Sequence, residues 1–505
     1  MSVDEERSAV PWRIERGDPR YEDLAGRGSK RFAGRPDRVY AVQTTEQVVS
    51  AVQASVSERL RLAVRSGGHC FEAFVSDPDV RVVIDTSLMS DVYYDRDRAA
   101  FAVEAGARLG DVYRKLFLGW DVTIPAGVAA NVGVGGHIVG GAFGFLCRKH
   151  GLAADHLYAV EVVVVDDQGM AKSIVATREP SDPNRELWWA HTGGGGGNFG
   201  VVTRYWFRSP GASLRGAPSG LLPAAPDSVL TFKAEWSTEL DERAFVRLAR
   251  NYGAWCEQNG EPDSPARDLY SSLFLGRRQL GKHSLRGIAI GPVDEGLFAE
   301  HLAFINDGVG AHCTHESQRR TWLSHVFDPF PGMPMGAEGS TFKLKDALLR
   351  RRYGDAQLAT AYRQLTRTDV DVAGGAFGLT TYGGQTNAVA PDATASVHRD
   401  ALMTTSCSVG WADPGDEAKC LSWVREFYRE LFADTGGVPT PGKLVAGALV
   451  NHADVDLADP AHNTSGVPFS AIYYGGNYPR LQRAKSHWDP LDVFRHPLSI
   501  RPEKG

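Results

Sequence analysis

Two glycine-rich loops, each carrying a histidine, are the parts of this sequence best suited to bind a ligand. The first reads RSGGH over 65–69, and the second reads GVGGHIVGGAFG over 133–144. Glycine lets backbone N–H groups approach a ligand closely, and successive N–H groups form a concave nest for an anion such as a pyrophosphate. An ordinary dinucleotide-binding loop does not end on a histidine. The pattern therefore predicts a binding site for a cofactor that contains a pyrophosphate group. The binding mode should differ from that of an ordinary dinucleotide-binding loop.

The segments around these loops read as short strands and helices. A stripe of apolar residues, with Thr44 and Gln47 as a capping box, predicts a helix over 44–60. The other predicted helices are 109–118 and 417–432, and the predicted strands are 62–65, 81–85, 99–104, 161–165 and 201–207. A stretch rich in Pro, Gly, Ser and Ala follows residue 208 and predicts a domain boundary. The layout is α+β.

Composition excludes several classes of protein. The chain has 505 residues, which is long for one compact domain, so two cores are expected. Its formal net charge of −6 argues against a general nucleic-acid-binding surface. The N-terminal residues 1–12 show no secretory signal, and no stretch approaches the length of a membrane span. The six cysteines form no CxxC pair and the histidines have no ligand spacing, so we expect no metal and a cytoplasmic location.

Several motifs in order identify a family by resemblance. They are RSGGH, VGVGGHIVGGAFG, RKHGLAADHLYAVEVV, HTGGGGGNFGVVT and, near the end, NYPRLQRAKSHWDPLDVF. Together they resemble the berberine-bridge-enzyme-like FAD-linked oxidases, and more closely the bacterial antibiotic-tailoring and sugar oxidases of that group. The resemblance extends from about residue 35 to about residue 500. One glycine loop alone would be weak evidence, whereas this series is specific.

The resemblance implies an α+β, two-domain fold of the PCMH type. Residues 1–208 would form the N-terminal part of the FAD-binding domain. Residues 209–440 would form a substrate-binding domain, an antiparallel sheet backed by helices. Residues 441–505 would return to complete the FAD-binding domain. No G-x-G-x-x-G opens a βαβ unit with an acidic residue about 20 positions later, so an NAD-dependent dehydrogenase is not supported.

FAD is the cofactor that the resemblance implies. In the family, the histidine at the position of His69 bonds covalently to the 8α-methyl group of the flavin. The alternative from the residues alone is that His69 is a polar loop residue that contacts a phosphate. The other cofactor-binding residues implied are Arg65, Ser66, Gly67, Gly68, Cys70, Val128, Ala129, Val132, Gly133, Gly136, His137, Gly140, Gly141, Gly144, Gly200, Val201, Asn477 and Tyr478. The five glycines 193–197 are expected to pass close to the cofactor.

One departure from the family pattern affects the cofactor linkage. Many relatives have a second bond, from a cysteine in a G-x-C-P-x-V-G segment to flavin C6. That segment here reads GVAANVG over 127–133, with Ala129 in place of the thiol. Alanine has no nucleophile, so we expect a single covalent link. For Cys70 and Cys147 we expect a small apolar role in the interior rather than a substitute bond.

A second departure concerns the catalytic base. Where sugar-oxidising relatives often carry G-x-Y-x-N-Y-x-D, this chain reads GALVNHAD, which places Leu449 and His452 at the two tyrosine positions. A histidine can accept a proton near neutral pH. The other candidates are Tyr382, which we favour for a direct role, and Tyr473 and Tyr474. Each of these side chains has a structural alternative, because buried tyrosines and histidines also serve as hydrogen-bonded core residues.

The expected activity is that of an FAD-dependent oxidase. A C–H next to O or N of a bulky secondary metabolite, such as a glycosylated antibiotic, would deliver hydride to flavin N5. O2 would then reoxidise the flavin and yield H2O2. The partners expected are therefore a small-molecule substrate and O2, with no nucleic acid and no membrane. Two alternatives stay open: a cyclisation or isomerisation without net oxidation, and a flavin-bearing binding protein without turnover.

Overall fold

Three β-sheets, each built from a continuous run of strands along the chain, organise the protein. In this computed structural model the structure describes residues 10–291, 294–331 and 339–503. Most of the N-terminal segment on which the absence of a secretory signal was predicted lies outside these residues. Within the described ranges, none of the helices combines the length and the apolar character needed to cross a membrane.

The strands divide between the sheets in chain order. The first sheet has four strands in the order β1-β2-β4-β3, and the second has five in the order β5-β6-β9-β7-β8. The bounds of these nine strands are β1 Trp12–Glu15, β2 Arg38–Ala41, β3 Leu62–Arg65, β4 Val82–Asp85, β5 Val92–Asp95, β6 Ala100–Glu104, β7 Leu157–Val165, β8 Ala171–Thr177 and β9 Val201–Phe207. The first glycine loop follows β3 directly.

The third sheet is antiparallel throughout. Its order is β13-β10-β12-β11-β15-β16-β14-β17. The strands are β10 Ser228–Ser237, β11 Leu269–Gly276, β12 Lys282–Ala289, β13 Thr314–Thr321, β14 Phe342–Leu349, β15 Gly374–Thr381, β16 Met403–Gly410 and β17 Val445–Gly447. Its last strand therefore lies beyond residue 440, the boundary expected from the sequence.

Thirteen α-helices connect and cover the sheets of the described chain. They are α1 Tyr21–Ala25, α2 Thr45–Ser57, α3 Leu109–Trp120, α4 Val134–Ile138, α5 Cys147–His150, α6 Arg185–Ala190, α7 Glu242–Gln258, α8 Asp294–Asn306, α9 Trp322–Phe327, α10 Asp355–Thr366, α11 Glu417–Leu431, α12 Phe469–Tyr474 and α13 Tyr478–Trp488. Helices α7, α8, α10 and α11 share one apolar core with the third sheet. The predicted α+β class, with an antiparallel sheet backed by helices, is confirmed.

The three parallel strands of the first sheet fix the position of the first glycine loop. Strands β2, β4 and β3 pair in parallel, and every residue of β2 and β4 is buried, as expected for strands covered on both faces. Helix α2 makes the crossover from β2 to β3. The Thr44 hydroxyl caps it by accepting a hydrogen bond from the Gln47 N–H at 3.3 Å. The carboxyl end of β3 is therefore held in place where the loop begins.

The C-terminal residues return to the first half of the chain. Arg480 on α13 forms an ion pair of 2.6 Å with Glu186 on α6, and its guanidinium lies over the ring of Trp189. The Ile500 N–H donates to the side-chain oxygen of Asn198, 302 residues earlier. These contacts hold the C-terminal residues against the segments on either side of the five glycines 193–197.

Candidate active site

Loops from the first two sheets, together with several later segments, enclose a cavity of about 480 Å³. The N-terminal half of the chain contributes 62–75, 127–143 and 191–200 to its wall. The later parts contribute residues within 396–398, 448–453, 473–474 and 494–498. The third sheet adds Leu348 on β14, and Tyr382 follows the end of β15. All three sheets thus place residues around one cavity.

The two histidine-bearing glycine loops are in close contact with each other. A Cβ built on Gly67 would lie 2.2 Å from the backbone N of Gly133, and one built on Gly133 would lie 2.1 Å from Ser66 Oγ. No side chain fits either position. Gly136 is different, because it is exposed in the wall of the cavity and a Cβ there would meet nothing within 4 Å. A side chain at Gly136 would therefore occupy space that a ligand can use.

Arg65 and Ser66 fix the first loop rather than present free side chains. The Arg65 guanidinium donates to Asp85 at 2.8 Å, and Asp85 is also bound by Arg27 at 2.9 Å. Burial alone would raise the pKa of Asp85, but the two guanidinium groups outweigh it and hold that pKa below its ordinary value. The Ser66 hydroxyl donates to the carbonyl of Ala105 at 2.7 Å. The loop thus enters the cavity in a fixed orientation.

Six histidines line the same cavity, and three of them, His69, His137 and His452, were expected from the sequence to act there. His137 accepts a hydrogen bond from the Gly127 N–H at its Nε2 atom, at 2.9 Å. Burial, with smaller contributions from the nearby His452 and His69, lowers the pKa of His137 to about 4. His137 is therefore neutral near pH 7, and its Nε2 lone pair is already used to hold the loop at Gly127.

His452 is oriented by a buried carboxylate that the sequence did not single out. Its Nδ1 atom lies 3.2 Å from Asp346 Oδ2, and its ring stacks on Phe71 with 5.0 Å between ring centroids. Asp346 lies on β14, with a side chain only 3% exposed, and burial raises its pKa above the ordinary value. With Nδ1–H directed at Asp346, the Nε2 lone pair of His452 is left to accept a proton.

The three candidate tyrosines line the cavity but differ in how their hydroxyls are used. The Tyr473 hydroxyl accepts from the Asp454 N–H at 3.0 Å, and the Tyr474 hydroxyl donates to the carbonyl of Gly194 at 3.1 Å. Within the described ranges, Tyr382 forms no side-chain hydrogen bond, and its ring packs on Phe143 at 4.7 Å. Burial raises the pKa of Tyr382, so its hydroxyl stays protonated. Tyr382 can thus donate a hydrogen bond to a ligand.

Most residues expected to bind the cofactor lie in the wall of the cavity. These are Arg65, Ser66, Gly67, Gly68, His69, Cys70, Val128, Ala129, Val132, Gly133, Gly136, His137, Gly140, Gly141 and Gly200. Cys147 is fully buried, and its thiol donates to the carbonyl of Pro125 at 3.0 Å, which is a structural role. The described chain contains no cluster of His, Cys, Asp and Glu residues that could hold a metal ion.

Four of the expected residues lie behind that wall. The Gly144 N–H donates to Cys147 Sγ, and Val201 is a buried strand residue paired with Val163. The Asn477 amide donates to the carbonyl of Pro391 at 2.8 Å, and the Tyr478 ring stacks on Tyr474. Their contacts support the residues of the wall without reaching the cavity themselves.

Several lining residues were missed by sequence reasoning. They are Phe71, Phe74, Ser396, His398, Asn451 and His496, together with Asp346 behind His452. Asn451 donates to the carbonyl of His137 at 2.9 Å, and it lies in the same GALVNHAD segment as His452. Its neighbourhood could have drawn attention to it. The others carry no local pattern, because their role depends on distant partners.

The wall of this cavity fits a flavin dinucleotide. The backbone N–H groups of its glycine loops can approach a pyrophosphate closely. At Gly136 the absence of a side chain leaves space that the cofactor can occupy. The residues that would hold the group are those of the two loops, and His69 faces the same space. Backbone N–H groups and His69 are suited to bind FAD. His452 lines the same cavity and can accept the proton that an oxidation releases.

Comparisons with known proteins agree with this description. Residues 36–170 match the model of an FAD binding domain, and residues 448–501 match the model described as berberine and berberine like. The chain is 50% identical over 498 residues to the aclacinomycin-N/aclacinomycin-A oxidase of Streptomyces galilaeus, covering 97% of this chain and 90% of that protein.

Solved structures give the same result. The crystal structure of aclacinomycin oxidoreductase superposes with a TM-score of 0.94 at 49% identity, over 98% of this chain and 100% of that one. A glycopeptide hexose oxidase crystallised with teicoplanin superposes with a TM-score of 0.93 at 46% identity, over 97% and 99% of the two chains.

The protein is an FAD-linked oxidoreductase. It belongs to the berberine-bridge-enzyme-like family, among the oxidases that tailor antibiotics and sugars.

Proposed function

We propose that this protein oxidises a C–H next to oxygen in the sugar of a glycosylated secondary metabolite, with FAD attached through one covalent bond to His69. The observation that carries the proposal is the convergence of His69, the His452–Asp346 pair and Tyr382 on one cavity. The names of two relatives support the substrate class, because aclacinomycin and teicoplanin are the molecules given there. On this proposal, residues up to 208 and after 440 hold the cofactor, and the residues between them bind the substrate.

FAD, when bound, would supply the hydride acceptor and the route by which the two electrons reach O2, giving H2O2. The protein must remove the accompanying hydroxyl proton. His452 Nε2 accepts it, and the resulting imidazolium is stabilised by the Asp346 carboxylate at Nδ1. Tyr382, which stays protonated, donates a hydrogen bond that orients the substrate oxygen.

His69 supplies the nucleophile for attachment. Its imidazole nitrogen would replace one hydrogen of the flavin 8α-methyl group: the hydrogen would leave as a proton, the two electrons would reduce the flavin, and O2 would reoxidise it to give H2O2. The bond would fix the ring in the cavity. Ala129 cannot form a second bond, because a methyl group has no lone pair. One covalent link is therefore the number that these residues support.

The experiment is the visible spectrum of the purified protein before and after acid precipitation. We expect the yellow colour to stay with the pellet in the wild type and to be released from His69→Ala. The matched control is His496→Ala, since His496 lines the same cavity at another point. Release of all flavin from the wild type would contradict the covalent link.

Turnover is tested with glycosides that carry a free secondary hydroxyl. We expect anaerobic bleaching of the flavin and, in air, one H2O2 for each carbonyl formed. Product without peroxide would favour a cyclisation or isomerisation, for which the His452–Asp346 pair could move a proton in both directions. A flavin that no glycoside reduces would favour a binding protein without turnover.

A further inference from the structure

Three segments of the chain meet beside the cavity, and each contributes one aromatic and one charged residue. Phe71 and Glu72 come just after His69, the last residue of the first loop. Phe342 and Lys343 begin β14 of the third sheet. His452 and Asp454 belong to the C-terminal return. The segments are far apart in sequence, so their meeting is a product of the whole fold.

The aromatic members form one contact group, and the charged members form another. Phe71 lies 5.0 Å from the Phe342 ring at 84° and 5.0 Å from the His452 ring at 11°. The Lys343 ammonium donates to Glu72 Oε1 and, at 2.7 Å, to Asp454 Oδ1. The same three segments are thus joined twice, by the ring contacts and by the ammonium group.

The ionic group lies in the interior. The side chains of Lys343, Glu72 and Asp454 are 1%, 3% and 2% exposed. Burial alone would lower the pKa of Lys343, but the carboxylates of Asp454 and Glu72 outweigh it and raise that pKa. The lysine is therefore charged at neutral pH. Removing either partner of a buried ion pair leaves an uncompensated charge, so the geometry of this group is strongly specified.

Lys345, two residues further along the strand, provides a comparison within the same cluster. Its ammonium donates to Asp454 at 2.5 Å and to Asp456 at 2.9 Å, both in the C-terminal return. Within the described part of the chain, no contact joins it to Glu72. Lys343 and Lys345 are equally buried members of one strand. They differ in that only Lys343 contacts the loop that carries His69.

We propose that Lys343 is a positioning residue for cofactor attachment: by binding Glu72 and Asp454 together, it sets the His69 loop against the segment that carries His452. The inference rests on the proposed link through His69. The third sheet thereby takes part in cofactor attachment, although Lys343 itself does not line the cavity. In the ranges that the structure describes, the other cation paired with Glu72 is Arg31, at 3.8 Å, and it also pairs with Glu417 at 3.0 Å.

The test compares full-length Lys343→Met and Lys345→Met with the wild type, produced in a riboflavin-limited host. Each protein is incubated with excess FAD, and flavin fluorescence in the acid-precipitated protein is followed over time. A shift of about 1 Å in a reacting group can cost up to about a hundredfold in rate, so we expect attachment in Lys343→Met to slow by at least about tenfold. Lys345→Met should stay within about twofold of the wild type.

A second variant covers the possibility that Lys343→Met folds poorly. Glu72→Gln removes the charge on the loop and leaves the Lys343–Asp454 contact intact. Attachment in Glu72→Gln should slow in the same way as in Lys343→Met, and thermal unfolding of all variants records their stability. Equal slowing in Lys343→Met and Lys345→Met, or normal attachment in Glu72→Gln, would overturn the proposal and leave a purely structural ion cluster.

Failure of the covalent link and failure of this inference give different results. If the wild type releases all flavin in acid, the proposed bond is absent. The visible circular dichroism of bound FAD is then measured instead of the flavin retained in the acid pellet. A changed flavin band in Lys343→Met and Glu72→Gln, with a normal band in Lys345→Met, still supports the positioning role. Unchanged bands in all three variants would refute it.

Discussion

At the scale of single residues, His452 depends on the carboxylate of Asp346. Neutral histidine has two tautomers, and only the one with the proton on Nδ1 leaves Nε2 available as a base. Asp346 Oδ2 selects that tautomer, and it also accepts a hydrogen bond from the Leu449 N–H at 3.2 Å. The carboxylate therefore holds both the backbone and the ring of this segment.

Replacement of Asp346 by asparagine tests this dependence. The amide side chain keeps the shape of the carboxylate but can offer an N–H to the ring, which favours the wrong tautomer. Because general-base catalysis contributes about 10²- to 10⁴-fold, we expect kcat to fall by about a hundredfold. The measurement is steady-state oxidation with peroxide detection, and Asp294→Asn, outside the cavity wall, is the control. An unchanged kcat in Asp346→Asn would show that the contact between Asp346 and His452 does not support the base.

Ala129 provides a second test at the residue scale. It lies in the cavity wall at the position where relatives carry a thiol, whereas the neighbouring Ala130 is absent from the wall. In the background His69→Ala, we expect Ala129→Cys to restore retention of flavin in the acid pellet. Ala130→Cys in the same background should release all flavin. Release from both double variants would show that a thiol at position 129 does not reach the ring.

At the scale of helices and strands, each element predicted from a local pattern is present in the structure, but some of the predicted ends are wrong. The predicted helix over 44–60 is α2 Thr45–Ser57, because the chain turns at Arg59, whose φ of 55° is left-handed. The predicted strand over 201–207 is β9 itself. The predicted strand over 161–165 is the second half of the nine-residue β7. Apolar periodicity reports the buried face, not the point at which a turn begins.

The same limit applies to the candidate site. A glycine loop can be recognised from a few consecutive residues, and both loops were identified in this way. Residues of both loops line the cavity. Asp346 and Lys343 have partners 106 and 271 residues away, and no local spacing marks them. Asn477 and Tyr478 belong to a specific motif, but a motif does not say which side chains point inward. Residues whose role depends on long-range contacts therefore could not be predicted from local sequence patterns.

The cap of α2 gives a prediction at this scale. The Thr44 hydroxyl satisfies the Gln47 N–H, and loss of such a cap costs about 1 kcal/mol. In Thr44→Ala we expect amide hydrogen exchange across the first turn of α2 to quicken by about fivefold. Thr44→Ser keeps the hydroxyl and should exchange like the wild type. Equal protection in Thr44→Ala would mean that packing of α2 on β7 alone holds the helix end.

At the scale of the whole molecule, many histidines are buried in neutral form. Nine have pKa values lowered chiefly by burial: His137, His150, His156, His191, His283, His301, His325, His398 and His496. An unfolded histidine takes up a proton near pH 6.5, whereas these folded ones do not until lower pH. The folded state is therefore favoured above pH 6.5, and this advantage is lost as pH falls toward about 4.

His325 isolates one of these contributions. Burial lowers its pKa to about 3, and its two ring nitrogens have no hydrogen-bond partner within the described chain. The ring packs between Phe145 and Trp322, so phenylalanine should fit the site. We expect His325→Phe to raise stability at pH 7.5 by about 1 kcal/mol, because two unsatisfied polar atoms are removed.

The variant should also lose less stability in acid. Between pH 6.5 and pH 4 the unfolded wild type binds one more proton at this position than His325→Phe can, and each pH unit is worth up to about 1.4 kcal/mol. Chemical unfolding at pH 7.5, 6 and 5 measures the difference, with the exposed His312→Phe as the control. A gap between His325→Phe and the wild type that does not widen as pH falls would mean that the ring is charged in the folded protein, and a partner for it must then be sought among the residues around Phe145.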